Sequence, residues 1–138
     1  MLEEIKRLRG TPEQPRRLDK MDRAYRAYLR ERFAGGRGFA FILQQGRRAL
    51  ASGTASPLGP WPPTASLHHA YEVLYVYGVY TVKSHRGQGL AGRIMKAIGA
   101  EARKRGLPLL ALYASDAGKS VYERGGFASK PNWMIKES

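Results

Sequence analysis

The chain has 138 residues, with 24 Lys and Arg against 11 Asp and Glu for a formal net charge of +13, and it carries 16 Gly, 8 Pro and no Cys. That length fits one domain with a single core, and 43% apolar with 10% aromatic residues is the composition of a chain that folds. The missing Cys excludes disulfides, thiolate zinc sites and a covalent thioester on the protein, and no apolar run approaches the ~18 residues of a membrane span.

Residues 2–9 mix charged and apolar side chains in a short helical pattern that Gly10-Thr11-Pro12 ends. They hold no apolar stretch of the secretory kind, and the chain reads as cytoplasmic. Leu18, Met21, Tyr25, Tyr28, Leu29 and Phe33 then recur at spacings of three and four, the period of an amphipathic helix, which Gly35, Gly36 and Gly38 stop. Phe39–Leu43 and Ala49–Ala55 read as a hairpin with Gly46 in its turn. Pro57, Gly59, Pro60, Pro62 and Pro63 around Trp61 exclude a helix or central strand and predict a long surface loop.

From Glu72 to Val82 the density of Val and Tyr predicts a long strand, and Gly78 within it predicts a bulge or a close approach by a ligand. A helix starts near Gly89 with Leu90, Ile94, Ala97, Ile98 and Ala102 on one face; Arg103 to Arg105, Gly106 and Pro108 mark its end. Leu107–Tyr113 reads as a short strand buried on both faces. Ser115 or Asp116 is expected to cap a last helix ending at Gly125-Gly126, with Phe127–Ile135 as a final strand. This order implies a mixed α/β sheet, antiparallel at the front and with parallel crossovers behind.

The charge is uneven. Residues 1–50 carry 13 basic and 6 acidic side chains, more than half of the surplus. Arg23, Arg26, Arg30 and Arg32 interleave with Tyr25 and Tyr28, a pattern that keeps an RNA- or ribosome-associated protein open as a reading, although arginines on the outer face of a solvated helix account for it more simply.

The segment with most chemistry is Val79 to Arg93, a glycine-rich turn between a strand and a long helix. Backbone N–H groups at such a helix start, with the positive end of its dipole, suit a pyrophosphate. Two nucleotide motifs compete for it. Gly87, Gly89 and Gly92 satisfy G-x-G-x-x-G, yet Leu109–Leu112 offers no acidic residue for a ribose. Gly118-Lys119-Ser120 ends like a phosphate loop, but Tyr113 stands where that loop needs Gly and Asp116 would put negative charge in its cradle.

Arg86-Gly87-Gln88-Gly89-Leu90-Ala91 resembles the R-x-x-G-x-A signature of the GNAT superfamily of acyl-CoA-dependent N-acetyltransferases, and Tyr113 to Phe127, a strand end followed by a helix that bears Tyr122 and closes on Gly126-Phe127, resembles the carboxy-terminal motif of that family. The two motifs occur in the family's order and spacing and span roughly residues 73–127; residues 18–55 match its amino-terminal half more loosely. Ser115 stands where the family often has Asn, and His85 where it commonly has an aromatic residue.

The resemblance implies a single-domain, mostly antiparallel mixed sheet with a V-shaped splay between two central parallel strands, flanked by helices, and with the family's first strand degenerate or absent. It implies acetyl-CoA as acyl donor, with its pantetheine arm along the backbone of Val79, Tyr80 and Thr81. The pyrophosphate would lie on Gly87, Gln88, Gly89, Leu90, Ala91 and Gly92 with Arg86 adding charge, while Ser115 and Lys119 complete the cofactor contacts. Tyr122 becomes the proton donor to the leaving thiolate, and the partner is an amine acceptor, with no membrane involved and as a monomer or homodimer. For a general base the sequence offers Glu72, His68 or His69, each of which equally reads as a strand-surface or loop residue. Trp61, Tyr75, Tyr77 and Tyr80 are candidates for the acceptor pocket, and a module that binds acetyl-CoA without transferring it is the remaining alternative.

Overall fold

The computed structural model describes residues 14–59, 72–107, 109–129 and 136–137. The amphipathic stripe forms α1 (Gln14–Ala34), the runs either side of Gly46 form β1 (Phe39–Gln45) and β2 (Arg48–Leu58), and the Val- and Tyr-rich run forms β3 (Val73–Thr81). One 3₁₀ turn (Lys83–His85) leads into α2 (Leu90–Lys104), which is followed by β4 (Leu110–Leu112) and α3 (Lys119–Arg124). The sheet order is β1-β2-β3-β4, with β1/β2 and β2/β3 antiparallel and β3/β4 parallel. A parallel pair needs a crossover, and α2 supplies it.

The two faces of the sheet differ in kind. Toward α2 point Ala51, Ala55, Leu74 and Val76, none more than 2% exposed, and Ile94, Met95, Ile98 and Ala102 of the helix close the core over them. Gly53 sets how near α2 lies: a Cβ there would stand 2.5 Å from Ile94 Cγ2 and 3.2 Å from Ile98 Cδ1, so a side chain would push the helix off the sheet.

Toward α1 the surface is aromatic. Tyr25 and Tyr28 meet Tyr77 edge to face at 6.4 and 6.0 Å, Tyr75 stacks on Tyr77 at 5.8 Å, and Arg32 lies 5.0 Å over the Tyr28 ring. The tyrosines interleaved with the α1 arginines thus serve internal packing, Arg32 with them, while Arg26 pairs with Asp22 at 3.1 Å.

Several expectations change. The predicted strand Leu107–Tyr113 reduces to Leu110–Leu112, half-buried rather than covered on both faces, because among the described residues it pairs only with β3; Tyr113 is 86% exposed. Ser115 Oγ does accept a hydrogen bond from the Gly118 N–H (3.2 Å), but it closes the turn before α3, whose own N-cap is Gly118. Pro57, expected in the loop, belongs instead to the end of β2 opposite Leu74, beyond Ala55 where the pairing with β1 has stopped and its missing N–H is not called on, and residues 127–129 of the expected last strand form no strand; residues 1–13, 60–71 and 130–135 lie outside the described residues.

Candidate active site

Pairing between β3 and β4 covers Leu74 with Leu110, Tyr75 with Ala111 and Val76 with Leu112, and stops there, while β3 runs on beside β2 to Thr81. The two parallel strands therefore part after Val76 and Leu112. At the same place the register against β2 slips: Thr54 faces Tyr77 and Ser52 faces Tyr80, so Gly78 and Val79 together stand opposite Gly53. Two residues against one is a β-bulge. Gly78 sits at φ +61, a conformation that costs an L side chain about 1–2 kcal/mol, and a Cβ on it would also meet Tyr25 Oη at 2.8 Å. The Tyr25 hydroxyl is hydrogen-bonded to Thr54.

A cavity of about 440 Å³ opens in the splay, a volume suited to a small-molecule site. Met21 and Tyr25 come from α1, Val76 to Val79 from β3, Leu112, Tyr113 and Ser115 from the end of β4, and Tyr122 from α3. Tyr122 lies edge-on to Phe127 at 6.0 Å and folds over Gly118, where a Cβ would stand 3.0 Å from its ring. Burial raises its pKa above 10, so the phenol is a proton-carrying group at neutral pH. Burial also raises Tyr25, and it pushes Tyr77 up to about 12 against the opposing pull of its 2.6 Å hydrogen bond with Ser56 Oγ.

Beyond the splay, β3 runs into the glycine-rich turn. Arg86 folds back so that its Nε donates to the Thr81 carbonyl at 3.0 Å, with its guanidinium 5.6 Å over the Tyr80 ring. Gly87 at φ +76 and Gly89 at φ +75 turn the backbone into α2, and a Cβ on either, or on Gly92, would meet only open space. The first helical hydrogen bond runs from the Arg93 N–H to the Gly89 carbonyl at 3.1 Å. The N–H groups of Leu90, Ala91 and Gly92 therefore fall outside the helix's own ladder, at the positive end of a 15-residue dipole.

Most of the residues singled out in the sequence come together here. Val79, Ser115, Tyr77 and Tyr122 line the cavity, while Tyr80, Thr81 and residues 86–92 continue from it along one edge. Lys119 does not line it and pairs instead with Glu123 at 3.9 Å on the exposed side of α3. Glu72 is not brought to Tyr122 either. It precedes Val76 by four residues, roughly 13 Å of strand, and lies 3.7 Å from Arg37 in an ion pair at the far end of β3. His68, His69 and Trp61 fall outside the described residues, and Tyr75 packs on Tyr77 without lining the cavity. Sequence reasoning missed Met21 and Tyr25 as site residues. Their i, i+4 spacing marks one helix face but not which strand that face meets.

Parallel strands that part beside a bulge, with an open helix start at the end of the longer strand, define the GNAT class of α/β fold. The chain belongs to the acetyltransferase (GNAT) family, whose profile matches residues 2–127. Among solved structures it is similar to a GCN5-related N-acetyltransferase from Ralstonia eutropha, at 26% identity and TM-score 0.81 over 98% of this chain and 86% of that one. It is also similar to a predicted acetyltransferase with acetyl-CoA from Clostridium acetobutylicum (23% identity, TM-score 0.79, 85% and 75% covered) and to glucosamine-6-phosphate N-acetyltransferase from Arabidopsis thaliana (17%, 0.63, 99% and 88%). No curated protein sequence matches the chain.

Proposed function

We propose that the chain transfers the acetyl group of acetyl-CoA directly to a primary amine, with donor and acceptor bound together. The observation that carries this reading is the meeting, at one cavity, of the stretch of β3 that has parted from β4, a backbone bulge and the protonated phenol of Tyr122. Beyond Val76 β3 no longer pairs with β4 among the described residues, and the amide-bearing pantetheine arm would lie along Val79 to Thr81 as an added strand, beside the Thr81 carbonyl that Arg86 holds. The residues fit the rest of the donor equally well. Gly87 to Gly92 leave room for a pyrophosphate against the N–H groups of the α2 start, and Arg86 is held beside them.

The chemistry needs a neutral amine, charge stabilisation on the carbonyl oxygen, and a proton for the thiolate that leaves. Backbone N–H groups at the bulge are the donors available to the carbonyl oxygen, held by the sheet before the reaction begins. Tyr122 gives its proton to the sulfur as the carbon–sulfur bond breaks; with its pKa raised the phenol is a weaker acid than a thiol near 8.5, so the phenolate readily takes a proton back, matched by the one the acylated nitrogen sheds to water. Tyr122 is then reset from solvent. Ser115 lies where it can bond the pantetheine arm, and Lys119 is left as a contact for an outer phosphate. Glu72 has no part in this reading, since an amine that arrives neutral requires no base.

Calorimetric titration with acetyl-CoA, followed by thiol release in the presence of amines, tests the proposal. Binding with amine-dependent thiol release and an acetylated product is the expected result. Binding without release would make the chain a carrier rather than an enzyme, and no binding would sink the reading.

A further inference from the structure

The wall that α1 and Tyr77 give the cavity has no task in the donor chemistry. Tyr77 directs its hydroxyl to Ser56 Oγ at 2.6 Å, and Tyr25 directs its own to Thr54; both partners lie on β2. The polar ends of the two phenols are thus turned into the sheet, and ring surface is what they have left for the cavity. Met21, one helical turn from Tyr25 and 48% exposed, adds a thioether at the rim. Among the described residues lining the cavity there is no Asp, Glu, His, Lys or Arg, and burial keeps Tyr25, Tyr77 and Tyr122 uncharged at neutral pH.

Such a wall discriminates by what it cannot offer as much as by what it can. A sugar ring or a polyamine entering it gives up hydrogen bonds to water and finds no carboxylate or amide in return, which is costly. An aromatic ring gives up little and gains edge or stacked contacts with the tyrosines and a sulfur contact with Met21. We propose that the acceptor is a primary amine joined by a short linker to an aromatic ring, selected by Tyr25, Tyr77 and Met21. This deepens the acetyltransferase reading and rests on it. The acceptor enters as its neutral amine, having left one proton with water, whereas an acceptor that keeps further ammonium groups would bring charge into a lining with no carboxylate to meet it.

The test is calorimetric titration of the chain saturated with CoA, using 2-phenylethylamine, glucosamine and spermidine as probes. The aromatic amine is expected to bind roughly tenfold tighter than either of the others. Tyr25→Leu, which keeps apolar bulk and removes the ring, should erase most of that preference. Met21→Asp alters an exposed helix position and places a carboxylate at the rim, and it should move the preference toward spermidine. Equal affinities for the three probes, tighter binding of glucosamine or spermidine, or a preference that both variants leave intact would overturn the proposal while CoA binding stands. Failure to take up CoA at all removes the acetyltransferase reading, and the acceptor class falls with it.

Discussion

The two halves of β3 obey different rules. From Leu74 to Val76 the strand is paired on both sides, and Leu74 and Val76 are 0% and 2% exposed in the core against α2. From Gly78 to Thr81 it keeps β2 but has lost β4, carries a left-handed residue, and is half-buried throughout. One half holds the fold together, and the other, parted from β4 among the described residues, is where the ligand is proposed to add as a strand. A strand can be both only if the break between its halves is sharp, and here it falls within two residues of Val76.

Substitutions should separate the halves. The largest effect is expected in the paired half: Leu74→Ala removes a side chain from a closed core and should cost about 2–5 kcal/mol in denaturant unfolding, with the acetyl-CoA affinity of the folded fraction unchanged. Past the open half, at the α2 start, the pattern should invert. Gly89→Trp fills the space there, and calorimetry should find acetyl-CoA affinity lowered on the order of 100-fold or lost, with stability reduced only by the ~1–2 kcal/mol that a side chain at φ +75 costs; unchanged affinity would remove the pyrophosphate assignment. Tyr122→Phe should lower kcat by about 100-fold with cofactor affinity nearly intact, and unaffected turnover would show that another group supplies the proton.

The smallest effect belongs to the boundary. Tyr77→Phe removes the hydroxyl's hydrogen bond to Ser56 and its polar contact with Tyr28, about 1 kcal/mol at pH 7. Tyr77 also carries a pH signature. Its folded pKa of about 12 lies above the unfolded value of 10, so the stability it adds is fully present below pH 10 and is lost as pH rises toward 12. Thermal melts across that range should fall more steeply for the parent chain than for Tyr77→Phe, and parallel curves would contradict the assignment.

The helices, the hairpin and the β3 bulge were legible in the sequence because each rests on local signals: spacings of three and four in α1 and α2, Gly46 between two apolar runs, and a lone Gly78 in a strand of Val and Tyr. The glycine-rich helix start at residues 86–92, proposed to hold the pyrophosphate, was legible for the same reason, since those residues are contiguous. What depended on packing was not. Tyr25 and Tyr28 could be read as companions of the surrounding arginines, and only the seating of α1 over Tyr77 shows that they face the sheet. Glu72 lies on the right strand at the wrong end, where the turn after α1 brings Arg37 to it. The short span of β4 follows from the splay, which no residue of Leu107–Tyr113 encodes alone.

The bulge also acts on parity. A strand assigns its side chains to two sides by counting in twos. Leu74 and Val76, at even positions, face α2, and beyond the extra residue the odd-numbered Val79 packs on that same core. Pulling the bulge straight with every residue kept would therefore do more than close a kink: it would turn Val79 toward the tyrosines and reverse the sidedness of the open half. Deleting Gly78 would instead leave Val79 next after Tyr77 in a plain alternation, still on the core side.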